Sequence, residues 1–552
     1  MAGPNIEGKL SPVQRFIRLL KLDKKAIGQL YFYAIFQGLV ALSLPLGIQA
    51  IINLIQSATL PTSWTVLVFI VILGIVVSGV LFIMQLHISE NLQQRIFTRA
   101  AFEFAYRIPK IRYDVLHNKY VPEIVNRFFD IISVQKGISK ILLDFSSAVL
   151  QITFGIILLS FYHPFFILFG FLLVAIVLLI LKVWGPRGLA TSLDESAQKY
   201  DVAFWLEEIA RSLRVFKMSG DSTFHLNRLD EHVKSYLHFR NLHFKFLIYQ
   251  YISLVGFKAI VGGGLLILGS ILVVNQQINL GQFVAAEIVL LLVVSSVEKV
   301  IISMQDIYDI LTAVEKVGSV TDWPLETESG INPIKSKSEY GFSIETNDLN
   351  YVYPDGAKTA FKSLNLHINA GEKWCISGSN GSGKSTLIHV LAGFYDNFQG
   401  TLLVNGVSLH TLDLNIFRQF LGTCLTDEEL FNGSLRDNIT IGRKDISDDE
   451  ILHLAEKLFW EKSLKDLPEG LDTWINPDGK KLPRSLVRKI ILTRALACKP
   501  KLVLIEDNLH HIDEQERMSI WKLFADVKQP FTLVAITSDE QVKDLFSKRI
   551  EL

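Results

Sequence analysis

The chain has little cysteine, no net charge and few charged residues of either sign. Only Cys375, Cys424 and Cys498 occur among 552 residues, all in the last third and without metal-ligand spacing. That excludes a disulfide framework and points to a reducing compartment for this part. Lys plus Arg and Asp plus Glu stand at 55 each, so the formal charge is zero. Without a basic excess there is nothing to neutralise a phosphate backbone, which excludes a nucleic-acid partner. Charged residues make up 20% and hydrophobic ones 49%. Disordered and collagen-like chains are not built this way. The start, MAGPNIEGKL, has no apolar core behind a basic stretch, so a cleavable signal peptide is not expected.

What the sequence does have is long apolar runs, roughly 31–56, 64–86, 141–162, 164–184, 248–274 and 281–303. Each is near the ~20 residues that cross a bilayer core. Six of them in 300 residues exceed what a soluble core can bury. The turns QSATLPTSW, SFYHPFF and NQQIN contain no Lys or Arg, whereas 87–138 and 185–246 are long and basic. The positive-inside rule therefore puts the N-terminus and both long excursions in the cytosol. PVQRFIRLLKLDKK reads as a basic amphipathic helix along the inner membrane surface. SENLQQRIFTRAAFEFAYRI and YDVAFWLEEIARSLRVFKM keep helical periodicity, with hairpin tips expected near 113–123 and 201–212. Phe204 and Trp205 would be apolar contact anchors there. Inside the runs, Asp144 and Lys258 fall near the inner boundary. Glu287 lies about 9 Å deep at 1.5 Å per residue, which leaves open a place on a substrate path or a hydrogen bond to a neighbouring helix.

After a polar stretch at 325–338 the texture changes to short β-rich runs alternating with helical ones, an α/β pattern. The expected domains are an interfacial helix at 1–25, an all-α six-helix transmembrane domain at 26–324, a linker at 325–338 and an α/β nucleotide-binding domain at 339–552. Within the last, Gly378, Ser379, Asn380, Gly381, Ser382, Gly383, Lys384 and Ser385 fit G-x-x-x-x-G-K-[ST], with the strand WCIS leading in and STLIHVLAG leading out. Glycines let backbone N–H groups wrap a β-phosphate, and the helix N-terminus adds a positive dipole end. Lys384 is placed to span the β- and γ-phosphates of ATP, and Ser385 to hold Mg²⁺, with Thr386 next in the helix.

With NYVYPDG, LFNGSLRDNI, LPEGLDT and LTRALACKPKLVLIED, this loop makes the chain resemble the ABC exporters, in the half-transporter layout of a six-helix membrane domain fused to a nucleotide-binding domain. The flavour is that of peptide and type I secretion exporters, carried by LPLGIQAIINLI, QRIFTRAAFEFAYRIP and NLGQFVAAEIV. No cysteine-peptidase stretch precedes the first run, so leader cleavage is not implied. The resemblance implies ATP and Mg²⁺ as cofactors and a dimer, with itself or with a second half-transporter. It also implies a bacterial inner-membrane location, contact with membrane lipid, and a periplasmic membrane-fusion protein as an optional partner.

Carried residue by residue, the resemblance places the adenine-stacking aromatic on Tyr353 and the loop aspartate on Asp513. The other motifs depart from the family. The glutamine that contacts Mg²⁺ and the attacking water is Thr426. The L-S-G-G-Q signature, which acts on the partner's ATP, is Leu482-Pro483-Arg484-Ser485-Leu486. The Asp for Mg²⁺ and the Glu that serves as base are swapped, to Glu506 and Asp507. The γ-phosphate histidine is Ser538. Asp507 is one methylene short of the water, and Pro483 has no backbone N–H to offer. Binding groups are kept and hydrolysis groups are lost, which implies an ATP-driven translocase with slow or partner-dependent turnover, moving a peptide, protein or lipid-like substrate. The alternative is a non-pumping ATP-binding scaffold or regulator. The family pattern also continues past SKRIEL, and its shortening here would loosen the domain or expose a surface.

Overall fold

The structure, a computed structural model, describes residues 10–56, 62–116, 121–327, 330–333, 341–353 and 359–552. Parts of the outer turn after residue 56, of the first hairpin tip and of the linker thus lie outside the described residues. The chain divides into two units, Met1–Pro109 with Tyr120–Trp323, and Lys110–Lys119 with Pro324–Leu552.

The first unit is all helix. Among the described residues, six helical segments are long and apolar enough to cross a membrane: Lys24–Ile55, Ser63–Lys110, Val121–Tyr162, Phe165–Arg211, Phe224–Val274 and Leu280–Thr321. The fifth has 51 residues, about 75 Å at 1.5 Å per residue, against a hydrocarbon core of about 30 Å. Long polar-faced extensions therefore follow from length alone. The first apolar run is not one helix but two, Lys24–Ala41 and Ser43–Gln56. Pro45 has no N–H to donate and its ring clashes with the carbonyl four residues back, at Ala41, where the first helix ends.

Buried aliphatic residues of the third to sixth segments form one core. A second core joins the first, second, third and sixth segments to the helix Pro12–Lys21. Several polar side chains inside the bundle are paired, whereas Gln85 Oε1, Gln135 Oε1 and Glu287 Oε2 are buried with no partner among the described residues. Gln85 Nε2 donates to Gln37 Oε1 at 2.7 Å, Ser296 Oγ to Gln151 Oε1 at 2.8 Å, and Gln250 Nε2 to Tyr308 Oη at 2.7 Å. Gly188 lets the Tyr308 ring approach, since a Cβ there would lie 2.5 Å from it. The N-terminal helix begins with a capping box at Ser11 and Gln14. Its Arg15 is buried against the sixth segment, 3.0 Å from Glu315 and also paired with Asp322.

The second hairpin differs from its expected position. The fourth segment runs straight through 201–211, and the reversal falls at Ser212–Thr223, around the short helix Leu213–Met218. Trp205 is turned into the hairpin itself: its Nε1 donates to the His225 carbonyl at 3.0 Å, and its ring lies 6.1 Å from those of Phe216 and Phe224. Its apolar surface is used locally, so it is not a free anchor. Phe204 is exposed.

The second unit holds two main sheets. β1 (Ile344–Val352), β2 (Thr359–Ile368), β4 (Gln399–Val404) and β5 (Val407–Ser408) form an antiparallel sheet ordered β2-β1-β4-β5. β3 (Lys373–Ser377), β6 (Leu421–Cys424), β9 (Leu502–Glu506), β10 (Thr532–Ile536) and β11 (Lys548–Glu551) form a parallel sheet ordered β11-β3-β10-β9-β6. Between β6 and β9 in the chain, β7 (Gly433–Ser434) and β8 (Trp474–Ile475) make a small ribbon. β9 and β10 are buried throughout and read as continuous apolar runs, LVLI and TLVAI, as parallel strands covered on both faces do. The short segment at Tyr113 belongs to this unit. Its ring lies 5.4 Å from Phe394 and 5.5 Å from Tyr395, while Arg112 Nη2 reaches Asp396 at 2.8 Å.

Candidate functional site

In a parallel sheet, ligands bind beyond the carboxyl ends of the strands. β3, β9 and β10 end side by side, and the loops that follow carry most of the candidate residues. After β3 the chain turns through Gly378, Ser379, Asn380, Gly381, Ser382 and Gly383 into the helix Lys384–Leu391. Gly383 caps that helix at φ 96°, where a Cβ would sit 2.5 Å from the Ala360 carbonyl oxygen, so only glycine fits. The helix N-terminus is thus left open to an anion. Lys384 Nζ donates to the carbonyls of Gly378 and Ser379, each at 2.8 Å, and so holds the loop curled. Ser382 Oγ is buried with no partner among the described residues.

Glu506 ends β9, is 5% exposed, and accepts a hydrogen bond from the Thr426 backbone N–H on Oε2 at 2.8 Å. Burial raises its pKa, but hydrogen bonds from Thr426 and Ser385 outweigh that, and the carboxyl is held below its usual range. Its Oε1 is buried without a partner. Ser385 and Glu506, 121 positions apart in sequence, are therefore neighbours. A hydroxyl beside an ionised carboxylate with one free oxygen fits a hard cation such as Mg²⁺, whose remaining ligands would be phosphate and water oxygens. Among the described residues no group of three His, Cys, Asp or Glu could hold a metal without such help.

Asp507 is aimed elsewhere. Its backbone N–H donates to the Ile536 carbonyl at 2.8 Å, its Oδ2 accepts the Thr537 hydroxyl at 2.5 Å, and its Oδ1 is buried and unpartnered. Ser538, next to Thr537, is exposed. Asp513 caps the helix Glu514–Ala525, accepting from the Gln515 N–H at 3.0 Å. Tyr353 lies at the end of β1 with its hydroxyl 2.6 Å from Thr386 Oγ1, so one ring edge is tied to the phosphate-loop helix. Pro483 caps the helix Arg484–Ala497; Pro483 and Arg484 are exposed and Ser485 is half-buried.

The sequence reading missed Thr537 and Arg488. Thr537 carried no signal beyond standing beside Ser538. Arg488 makes its contacts to main-chain carbonyls some sixty positions away, which no motif records.

A family model described as the ABC transporter matches residues 361–509, and one described as the ABC transporter transmembrane region matches 29–297. The chain belongs to the ABC transporter family. It has the half-transporter layout, one six-helix membrane region and one nucleotide-binding region in a single chain, and it is an integral membrane protein. This ABC transporter is 22% identical to the ATP-dependent lipid A-core flippase of Desulfotalea psychrophila, over 85% of this chain and 82% of the flippase. It is 27% identical to the alpha-hemolysin translocation ATP-binding protein HlyB of Escherichia coli O157:H7, over 49% of this chain. That match spans 38% of the hemolysin protein, under two-fifths of its length. Among solved structures, a bacterial Atm1-family ABC exporter with ATP bound superposes with TM-score 0.83 and 16% identity, covering 96% of this chain and 93% of that one. The fold of the exporter is thereby shared.

Proposed function

We propose that this ABC transporter binds Mg·ATP at the end of β3 and couples it to export of a peptide, protein or lipid-like substrate, with slow or partner-dependent hydrolysis. The observation that carries the reading is the contrast between adjacent residues. Glu506 stands with Ser385 and keeps a free carboxylate oxygen, whereas Asp507 is tethered to Thr537. Within this reading the loop Gly378–Ser385 and Thr386 hold the phosphates, Ser385 and Glu506 the metal, and Tyr353 the adenine. Asp507 is a weak base. Thr426 and Ser538 stand where glutamine and histidine are missing, Ser485 belongs to the altered signature that meets the partner's nucleotide, and Asp513 is the retained aspartate of the loop after β9. ATP would supply the free energy for transport; this chain's own part is to bind it, orient it and exclude water.

The working unit is a dimer, with a second copy or another half-transporter, in a bacterial inner membrane with the N-terminus and the nucleotide-binding domain cytosolic. Domain limits of 1–25, 26–324, 325–338 and 339–552 go with this reading, as does a membrane-fusion protein as an optional partner. The relatives translocate alpha-hemolysin and flip lipid A-core, by their names, and both support an outward substrate of that general kind.

A second reading, a non-pumping ATP-binding scaffold, is favoured by the same tether on Asp507. Steady-state phosphate release by the purified chain, alone and with a co-expressed half-transporter, separates the two. Turnover in either preparation supports the pump. ATP-induced thermal stabilisation with no turnover in both supports the scaffold, and no response to ATP removes both readings.

A further inference from the structure

The loop Leu425–Glu429 joins β6 to the helical part of the nucleotide-binding unit, and the guanidinium of Arg488 reaches three of its carbonyls. Arg488, one turn into the helix Arg484–Ala497, donates from Nη1 to the carbonyls of Leu425 at 3.3 Å and Glu428 at 3.1 Å, and from Nη2 to that of Thr426 at 3.0 Å. The other side of the same peptide chain is held by the metal position, because the Thr426 N–H donates to Glu506 Oε2 at 2.8 Å. Thr426 is thus gripped at its carbonyl by the helix and at its amide by the carboxylate. The Ser385 hydroxyl also hydrogen-bonds to the Glu506 carboxylate.

A planar fork with five fixed donors can hold three carbonyls at once; a lysine ammonium cannot reproduce that geometry. An amide aimed at one oxygen of a carboxylate restrains that oxygen and leaves the other, here the unpartnered Oε1, to a ligand. Outer partners of this kind orient the groups that touch a metal. The link runs through main chain, so it does not need the glutamine side chain that Thr426 replaces.

We propose that Arg488 is a positioning residue for the metal side of the nucleotide site, acting through the backbone of Thr426 on Glu506. This ties the orientation of the metal carboxylate to the helix that begins at the altered signature, and it rests on the reading that Mg·ATP binds here. Arg494, on the same helix, is the internal control. It reaches the same loop at the Glu429 carbonyl, 3.3 Å, and the Asn438 carbonyl of the helix Leu435–Thr440, 2.7 Å, with no hydrogen bond to Thr426 among the described residues.

The experiment is a MgCl₂ titration of the full chain in detergent at fixed ATP, following the nucleotide-induced thermal shift, with an EDTA arm. Arg488→Ala is expected to raise the Mg²⁺ half-point about 3- to 10-fold, below the 10- to 100-fold typical of a direct outer partner. The shift by ATP in EDTA should not change. Arg488→Lys keeps the charge and should give an intermediate half-point, which serves if the alanine variant does not fold. Arg494→Ala should lower the melting temperature without moving the half-point. Equal half-points for wild type and both Arg488 variants, or the same displacement in Arg494→Ala, would overturn the assignment while leaving Mg·ATP binding standing. A wild type that ignores ATP at every Mg²⁺ concentration would remove the binding reading and this inference together.

Discussion

Thr537 donates its hydroxyl to Asp507 at 2.5 Å, whereas the neighbouring Glu506 is hydrogen-bonded by Ser385. A side chain already one methylene short of a glutamate is thereby drawn toward β10. A general base works within about 2.6–3.2 Å of the proton it takes and supplies roughly 10²–10⁴ in rate. Lengthening the side chain alone leaves Thr426, Ser538 and the Pro483–Arg484 stretch as they are. Asp507→Glu is therefore expected to change steady-state phosphate release by less than about tenfold. A rise of a hundredfold or more would mean that the base alone limits turnover.

Lys384 closes the loop on itself through the carbonyls of Gly378 and Ser379. When nucleotide enters, the ammonium exchanges those neutral acceptors for charged ones, and hydrogen bonds to charged groups are worth about 1.5–3 kcal/mol. Lys384→Ala should weaken ATP binding by roughly 100-fold, or about 3 kcal/mol, read from an ATP titration of the thermal shift. An unchanged midpoint would show that the loop does not contact the phosphates.

The membrane region was legible because its signal is length: six apolar runs in which any soluble packing fails. So was the phosphate loop, where glycine spacing, strand and helix agree in one short stretch. Boundaries were less so. The run 31–56 hides a break at Leu42 that only the position of Pro45 explains. Trp205 looked like an exposed anchor because periodicity does not reveal that the chain reverses at 212–223 and brings Phe216 and Phe224 back onto it. The candidate site was legible as a set of positions but not as a set of directions. Sequence gives Glu506 and Asp507 as a swapped pair of carboxylates; only the structure has them facing different partners, one Ser385 and the other Thr537.

Lys373, the first residue of β3, is 5% exposed, and its ammonium donates to the Gln529 carbonyl at 3.2 Å and to that of Phe531, over whose ring it lies at 4.3 Å. Burial pulls its pKa down from 10.5 to about 8. Between those values the unfolded chain holds the proton and the native one releases it, so stability rises as pH climbs from about 8 to 10.5. At 1.36 kcal/mol per pKa unit the full effect is about 3 kcal/mol. Lys373→Met should flatten this rise relative to wild type in paired thermal melts across pH 7–11. Parallel curves for the two proteins would remove the assignment.

In the ABC exporters each nucleotide lies between one chain's phosphate loop and the other's signature. Here the signature position presents Pro483, which has no N–H, and Arg484, whose Cβ occupies space a glycine would leave open; both are exposed at the start of their helix. In a homodimer both sites would combine this stretch with the tethered Asp507, and neither is expected to turn over well. With a partner of full motifs, one site gains that partner's base, glutamine and histidine and meets only the altered signature of this chain. Pairing with a different half-transporter is therefore expected to recover more activity than self-pairing. The chain expressed alone should show, by detergent-corrected mass, either monomer or a dimer with negligible phosphate release, and co-expression with a second half-transporter should raise release at least tenfold. A stable homodimer with brisk ATPase activity would overturn the preference for a different partner, since it would mean that two altered sites suffice.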